Sequence, residues 1–201
     1  NNMALCEVFY WGPMLFKTKV KPDEVQGLLK ICNKNKKNDA RKDLAGHIED
    51  EFSVDIPEYS KIVEPYIKLF MKSYGHYYGD KCPDLFVKSA WVNFMKAGEY
   101  NPQHFHTGCQ FSSVVFLSYP EGLRQENKAY VGTINKGGPG SLCFNYGEDS
   151  IPHSHNMRPF FPEIGDFFIF PWFLRHSVMP FKSEGERITL AANYDVKIEA
   201  K

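Results

Sequence analysis

The sequence predicts a mostly β protein with flanking helices (α+β), a helical first part followed by a β-rich second part. Two observations carry this. Apolar residues recur at helical spacing in the first 80 residues, and from Trp91 the chain breaks into short β-patterned runs separated by Gly, Pro and Asn. The 17 Phe, concentrated in the second half, and 11 Tyr suit strands better than helices. A helical layer followed by many short strands implies helices packed against one face of a β-sandwich or barrel.

The elements follow in order. Residues 6–11 read as a short apolar strand. Pro22-Asp23-Glu24 starts a helix, with proline in the first turn and acids at the positive end of the dipole. Val25, Leu28, Leu29 and Cys32 continue it, and the polar, Lys/Asn-rich residues 33–45 form a surface loop. A longer helix spans about 58–77, where Ile62, Val63, Tyr66, Ile67, Phe70 and Met71 make one stripe. Strands are then expected at 91–96, 111–119, 129–134, 141–146, 166–170 and 187–198. The last is the clearest, with Ile188, Leu190, Ala192, Tyr194 and Val196 alternating with Arg187, Thr189, Ala191, Asn193 and Asp195. Gly137-Gly138-Pro139-Gly140 is a turn before a strand, since no helix start or Lys-Ser/Thr pair follows to make a phosphate loop.

At 201 residues the chain is expected to be one domain, 1–201, with 1–90 a helical support region and 91–201 a β core. Its 24 basic and 24 acidic residues cancel, so no basic field recruits nucleic acid. The basic stretch 30–42 is interleaved with Asn and Asp, as in a solvated loop. Five cysteines without a close pair argue against a disulfide framework or thiolate zinc site and for a reducing compartment. Cys109, three residues past His106, is the thiol nearest the candidate chemistry, but a small residue in a turn explains it. No run approaches the ~20 apolar residues of a membrane span, and Asn1-Asn2-Met3-Ala4-Leu5 lacks the character of a signal peptide. The chain reads as soluble and cytoplasmic.

His104 and His106 flank Phe105 just before a β run, and His176 follows the run at 166–170. On an extended segment residues i and i+2 share a face, about 6–7 Å apart, so two imidazoles converge on one ion. Two ligands close together, one distant and a cation beyond it (Arg187) is the layout of a mononuclear non-haem iron site with open positions. Arg187 and Thr189 share a face of the final strand and form a fork for a carboxylate. Taken singly, a histidine in a β protein is more often structural, and His47 and His76 are read so. His153 and His155 fall in a polar, proline-flanked segment, read as a mobile loop near the site.

The stretches Trp91-Val92-Asn93-Phe94, Asn101-Pro102-Gln103-His104-Phe105-His106-Thr107-Gly108, Ser113-Val114-Val115-Phe116-Leu117, Gly165-Asp166-Phe167-Phe168-Ile169-Phe170-Pro171, His176-Ser177-Val178 and Glu186-Arg187-Ile188-Thr189 carry a resemblance. In them the chain resembles the 2-oxoglutarate- and iron(II)-dependent oxygenases, specifically the prolyl-4-hydroxylase-like branch common in marine phages. The resemblance implies a double-stranded β-helix (jelly roll, cupin-like) with the N-terminal helices packed on one sheet. It implies Fe(II), 2-oxoglutarate and O2 as cofactor and co-substrates. The implied activity is hydroxylation of an unactivated C–H bond, in an organic molecule or in a prolyl or other residue of a polypeptide, with release of succinate and CO2. Carried over, His104, His106 and His176 fall at the metal positions, and Arg187, Thr189 and Asn93 at the co-substrate; with Arg187 the three histidines form the expected catalytic set. The departure is His106, where the superfamily has Asp or Glu. Either His106 is the third ligand, or it stands behind the ligands and water fills the place.

Two rivals remain open at this stage. A cupin-type metal enzyme shares Gly98 and the His104-x-His106 pair, but has Gln110 for the cupin glutamate, Phe173 for a glycine, and no use for Arg187 and Thr189. A metal-free β-sandwich binding module, or structural zinc, suits the aromatic richness but leaves the histidine layout unexplained.

Overall fold

The computed structural model describes residues 12–34, 36–132, 137–147 and 156–197. The expected strand at 6–11 and His153 and His155 lie outside them. Among the described residues ten antiparallel strands form two open sheets. The larger has the order β1 (Phe16–Lys19), β8 (Asp166–Pro171), β5 (Phe111–Ser118), β10 (Arg187–Val196), β3 (Leu85–Met95), β2 (Glu51–Ser53). The smaller has the order β4 (Asn101–His104), β9 (Arg175–Val178), β6 (Leu142–Asn145), β7 (Met157–Phe160).

Both faces of the larger sheet are covered, and strand periodicity sorts the side chains between them. On β8, Phe167 and Ile169 join the core beneath the helices, while Phe168 and Phe170 join a second core between the sheets. The outer core packs Val25, Leu28, Val63 and Phe70 of the helices against Val92, Val115, Phe167 and Leu190. Each such burial contributes about 1.5–3 kcal/mol. The inner core is aromatic, with Phe144 edge-on to Phe170 at 5.0 Å and Phe160 against Phe168 at 5.1 Å. Helix α1 (Pro22–Lys34) and helix α2 (Ile56–Tyr78) form the outer layer. Asp55 caps α2 by accepting the Glu58 N–H at 2.8 Å, and Gly79, at φ +72°, ends it.

Several expectations change. Residues 1–90 are not a purely helical support, because β1, β2 and the first part of β3 belong to the larger sheet. The strand expected at 129–134 is absent from its described part. Ala129 instead ends helix α3 (Leu123–Ala129), whose Leu-Arg-Gln-Glu-Asn-Lys-Ala is made of helix formers around one buried anchor, Leu123. Residues 33–45 are a loop only after Lys34, and they include a short 3-10 turn, Arg41–Asp43. The glycine-rich turn at 137–140 leads into β6 as expected, with positive φ at Gly137 and Gly140. No helix among the described residues is long and apolar enough to cross a membrane.

Gly165 enters β8 at φ +88°, donates to Phe116 O at 2.7 Å and accepts from Val20 N at 2.8 Å. A Cβ there would stand 2.8 Å from the Val20 carbonyl oxygen. Gly165→Ala is expected to lower the unfolding free energy by about 1–3 kcal/mol, read as a shift of the denaturation midpoint at unchanged slope.

Candidate metal and co-substrate site

The smaller sheet presents the histidines. His104 ends β4 directly opposite His176 of β9, and Phe144 of β6 stands opposite His176 on its other side. His106 lies just beyond β4, where its N–H donates to Trp172 O at 3.0 Å and ties it to the β8–β9 turn. One nitrogen from each of the three rings falls within 4.8 Å of the others. His106 Nε2 and His176 Nε2 are 3.2 Å apart. Two nitrogens bound to one ion at about 2.1 Å stand roughly 3.0–3.4 Å apart for bond angles of 90–109°. The His106 ring therefore faces the same point as His176.

The protonation states suit a cation. His104 Nδ1 bonds Pro102 O at 2.7 Å and His176 Nδ1 bonds Leu174 O at 3.0 Å. A carbonyl accepts only from N–H, so both rings carry their proton on Nδ1 and turn the Nε2 lone pair inward. Burial lowers all three pKa values: His106 falls to about 3, with His104 adding to the effect, and His176 falls well below the ordinary value. The Trp91 ring lies 5.8 Å from that of His106.

The larger sheet supplies the other end of the same cavity. Arg187 and Thr189 of β10 and Asn93 of β3 face it, together with the histidines. Arg187 is 3 % exposed, its Nη2 has no hydrogen-bond partner, and no described carboxylate pairs with it. Its guanidinium lies 4.7 Å from the Phe116 ring centre. Burial pulls its pKa down to about 9, so it stays protonated at neutral pH. Thr189 stands opposite Asn93, whose amide donates to Thr189 Oγ1 at 3.3 Å. That bond leaves the threonine proton free to donate into the cavity.

Every described residue expected at the site is thus brought to one cavity. Those read as structural stay away from it: His47 stacks on Tyr100 with centroids 4.7 Å apart, His76 is exposed on α2, and Cys109 is buried outside the cavity lining. Sequence reasoning missed Asn101, whose buried Oδ1 is unpartnered in the cavity wall, and Glu51, buried beside Asn93. Asn101 sat inside the quoted histidine motif; Glu51 had no signal beyond one carboxylate in a three-residue strand.

A family model described as "Putative 2OG-Fe(II) oxygenase" matches residues 89–193, more than half of the chain, a span that holds His104, His106, His176, Asn93, Arg187 and Thr189 of the cavity. The chain belongs to the 2-oxoglutarate- and Fe(II)-dependent oxygenase family. Its members use Fe(II), 2-oxoglutarate and O2. Solved structures share the double-stranded β-helix fold. A Pseudomonas putida prolyl-4-hydroxylase is similar at TM-score 0.58 and 14% identity, over 92% of this chain and 93% of that one. The viral collagen prolyl hydroxylase of Paramecium Bursaria Chlorella virus-1, a 2-oxoglutarate complex, is similar at 0.57 and 16%, over 90% and 94%. HygX from Streptomyces hygroscopicus, with nickel, 2-oxoglutarate and hygromycin B bound, is similar at 0.57 and 11%, over 93% and 84%. Comparison with curated proteins finds no significant match.

The buried imidazoles give a direct expectation. In metal-free protein neither His106 nor His176 should titrate between pH 5 and 8, as read from ring resonances by NMR. Because their folded pKa values lie below the unfolded value of about 6.5, the unfolded chain binds more protons below that pH. Stability should therefore fall as pH drops from about 6.5 towards 3.

Proposed function

We propose that the chain is a 2-oxoglutarate-dependent dioxygenase that hydroxylates an unactivated C–H bond, releasing succinate and CO2, with His104, His106 and His176 holding the metal. The observation that carries this reading is Arg187, a buried, protonated guanidinium without a counter-ion among the described residues, in the same cavity as three neutral imidazoles. An unpaired buried charge costs several kcal/mol, and a carboxylate entering the cavity would remove that cost. Arg187 would bind the far carboxylate of 2-oxoglutarate, and Thr189 would add its hydroxyl, oriented by Asn93.

Bound Fe(II) supplies the activation of O2 that couples oxidation of the co-substrate to that of the substrate. The chain's own residues hold, orient and exclude water. With His106 in the carboxylate's usual place all donors are neutral, so the bound ion keeps its full charge towards an anionic co-substrate. For the substrate we favour a polypeptide side chain, supported by the two similar prolyl hydroxylases. A small organic molecule is the other class, supported by the hygromycin B complex of HygX.

Two expectations follow from this assignment. His176→Ala and His106→Ala should each weaken Fe(II) binding by orders of magnitude, measured by anaerobic titration; full occupancy in either variant removes that residue from the ligand set. Arg187→Ala should leave Fe(II) binding nearly intact yet weaken 2-oxoglutarate binding by about 30- to several thousand-fold, the equivalent of losing roughly 2–5 kcal/mol from a desolvated ion pair. Thr189→Ala should act in the same direction but less, since one neutral hydrogen bond contributes about 0.5–1.5 kcal/mol. Calorimetry with 2-oxoglutarate checks both, and equal affinity in Arg187→Ala and the parent would contradict the assignment.

A further inference from the structure

The row of polar side chains on the inner face of the larger sheet continues past the cavity wall. Glu51 of β2 stands opposite Asn93 of β3, which stands opposite Thr189 of β10. Directly opposed residues of antiparallel strands share a face, with Cβ atoms about 4.5–5.5 Å apart. Glu51 therefore lies immediately behind Asn93. It is 1 % exposed, and among the described residues neither of its oxygens has a hydrogen-bond partner. Asn93 Oδ1 is buried and equally unpartnered, while its amide donates to Thr189 Oγ1. Three buried acceptors grouped in this way lack one thing, a proton. Gly46 makes the space for the carboxyl group, since a Cβ there would stand 2.7 Å from Glu51 Oε1.

We propose that Glu51 is a positioning residue for the co-substrate. Held as a neutral carboxylic acid, it donates its O–H to Asn93 Oδ1 and so locks the Asn93 amide with its N–H towards Thr189. The Thr189 oxygen is then occupied as an acceptor, and its proton is directed at the carboxylate on Arg187. This rests on the 2-oxoglutarate reading above.

The surroundings favour the neutral form. Burial above all, with Glu99 adding, Arg41 opposing and Asp39 adding, pushes the Glu51 carboxyl up to about 7. The nearby charges are engaged elsewhere. Arg41 pairs with Asp39 at 2.7 Å, Lys96 pairs with Asp50 at 2.7 Å, and Glu99 accepts from the backbone N–H groups of Glu49 and Lys96. As pH rises through about 7, Glu51 ionises and loses its donor. It also places a negative charge two strands from the bound carboxylate. Affinity for 2-oxoglutarate falls with rising pH, whereas the co-substrate's own carboxylates stay ionised throughout.

The test is anaerobic calorimetry of 2-oxoglutarate binding to Fe(II)-loaded protein between pH 6 and 8, with kcat and KM measured alongside. The parent should lose affinity with rising pH, by up to about tenfold for a single coupled proton. Glu51→Gln, which keeps a donor that cannot ionise, should bind as tightly as the parent at pH 6 and lose this slope. Glu51→Ala should bind about three- to tenfold more weakly at pH 6, raising KM for 2-oxoglutarate while kcat at saturation is unchanged. In metal-free parent protein the Glu51 carboxyl carbon should titrate near pH 7 by NMR. A parent without the slope, a Gln variant that keeps it, or an Ala variant that binds like the parent would overturn the proposal. If the Ala variant does not fold, the Gln variant and the carboxyl titration decide. A parent that binds no 2-oxoglutarate at pH 6 overturns the functional reading itself, and this one with it.

Discussion

On the functional reading proposed above, a buried guanidinium that no described carboxylate pairs with is compensated by an anion that enters the cavity, and the site is organised around that condition at Arg187. Strand β10 lies inside the larger sheet, between β5 and β3, with helices over one face and the smaller sheet over the other. Ile188, Leu190, Ala192 and Tyr194 satisfy the helical side with apolar surface and a hydroxyl bonded to Tyr59 at 2.7 Å. The opposite side carries Arg187 and Thr189 into a cavity where the only described groups of opposite demand are neutral. On the proposed reading, the local cost of burying Arg187 is offset when an anion binds, as at other functional sites that hold perturbed buried groups.

The two sheets divide the work. The smaller holds the nitrogen donors on β4 and β9, where backbone carbonyls fix two ring tautomers and the main-chain bond to Trp172 places the third ring. The larger holds the cation, the hydroxyl and the amide row. Phe168, Phe170 and Phe144 fill the space between them and keep that distance from collapsing, as close-packed interiors do. If the three histidines hold the metal as proposed, three neutral donors in place of two and a carboxylate would concentrate attraction for an anionic co-substrate at both ends of the cavity.

Much of this was legible in the sequence, for identifiable reasons. β10 is long, and Ile188, Leu190, Ala192, Tyr194 and Val196 alternate with the residues between them, so the shared face of Arg187 and Thr189 could be read from the sequence. The His104-x-His106 spacing and the distant His176 likewise specified a shared point. What escaped were strands of three or four residues, β1, β2, β4, β7 and β9, too short to show a period and in two cases containing proline. Their pairing is set by neighbours rather than by intrinsic preference. Glu51 was invisible for the same reason: its meaning comes from register with Asn93, which only the assembled sheet reveals. The strand expected at 129–134 is absent from its described part because the helix formers before it, Leu-Arg-Gln-Glu-Asn-Lys-Ala, run helical to Ala129.

The most direct measurement of the central claim is a crystal structure of the protein grown without oxygen in the presence of Fe(II) and 2-oxoglutarate. The account predicts one ion bound by nitrogens of His104, His106 and His176, with the far carboxylate of 2-oxoglutarate paired to Arg187 and in hydrogen-bond reach of Thr189. An ion held without these histidines, or 2-oxoglutarate bound away from Arg187, would contradict it.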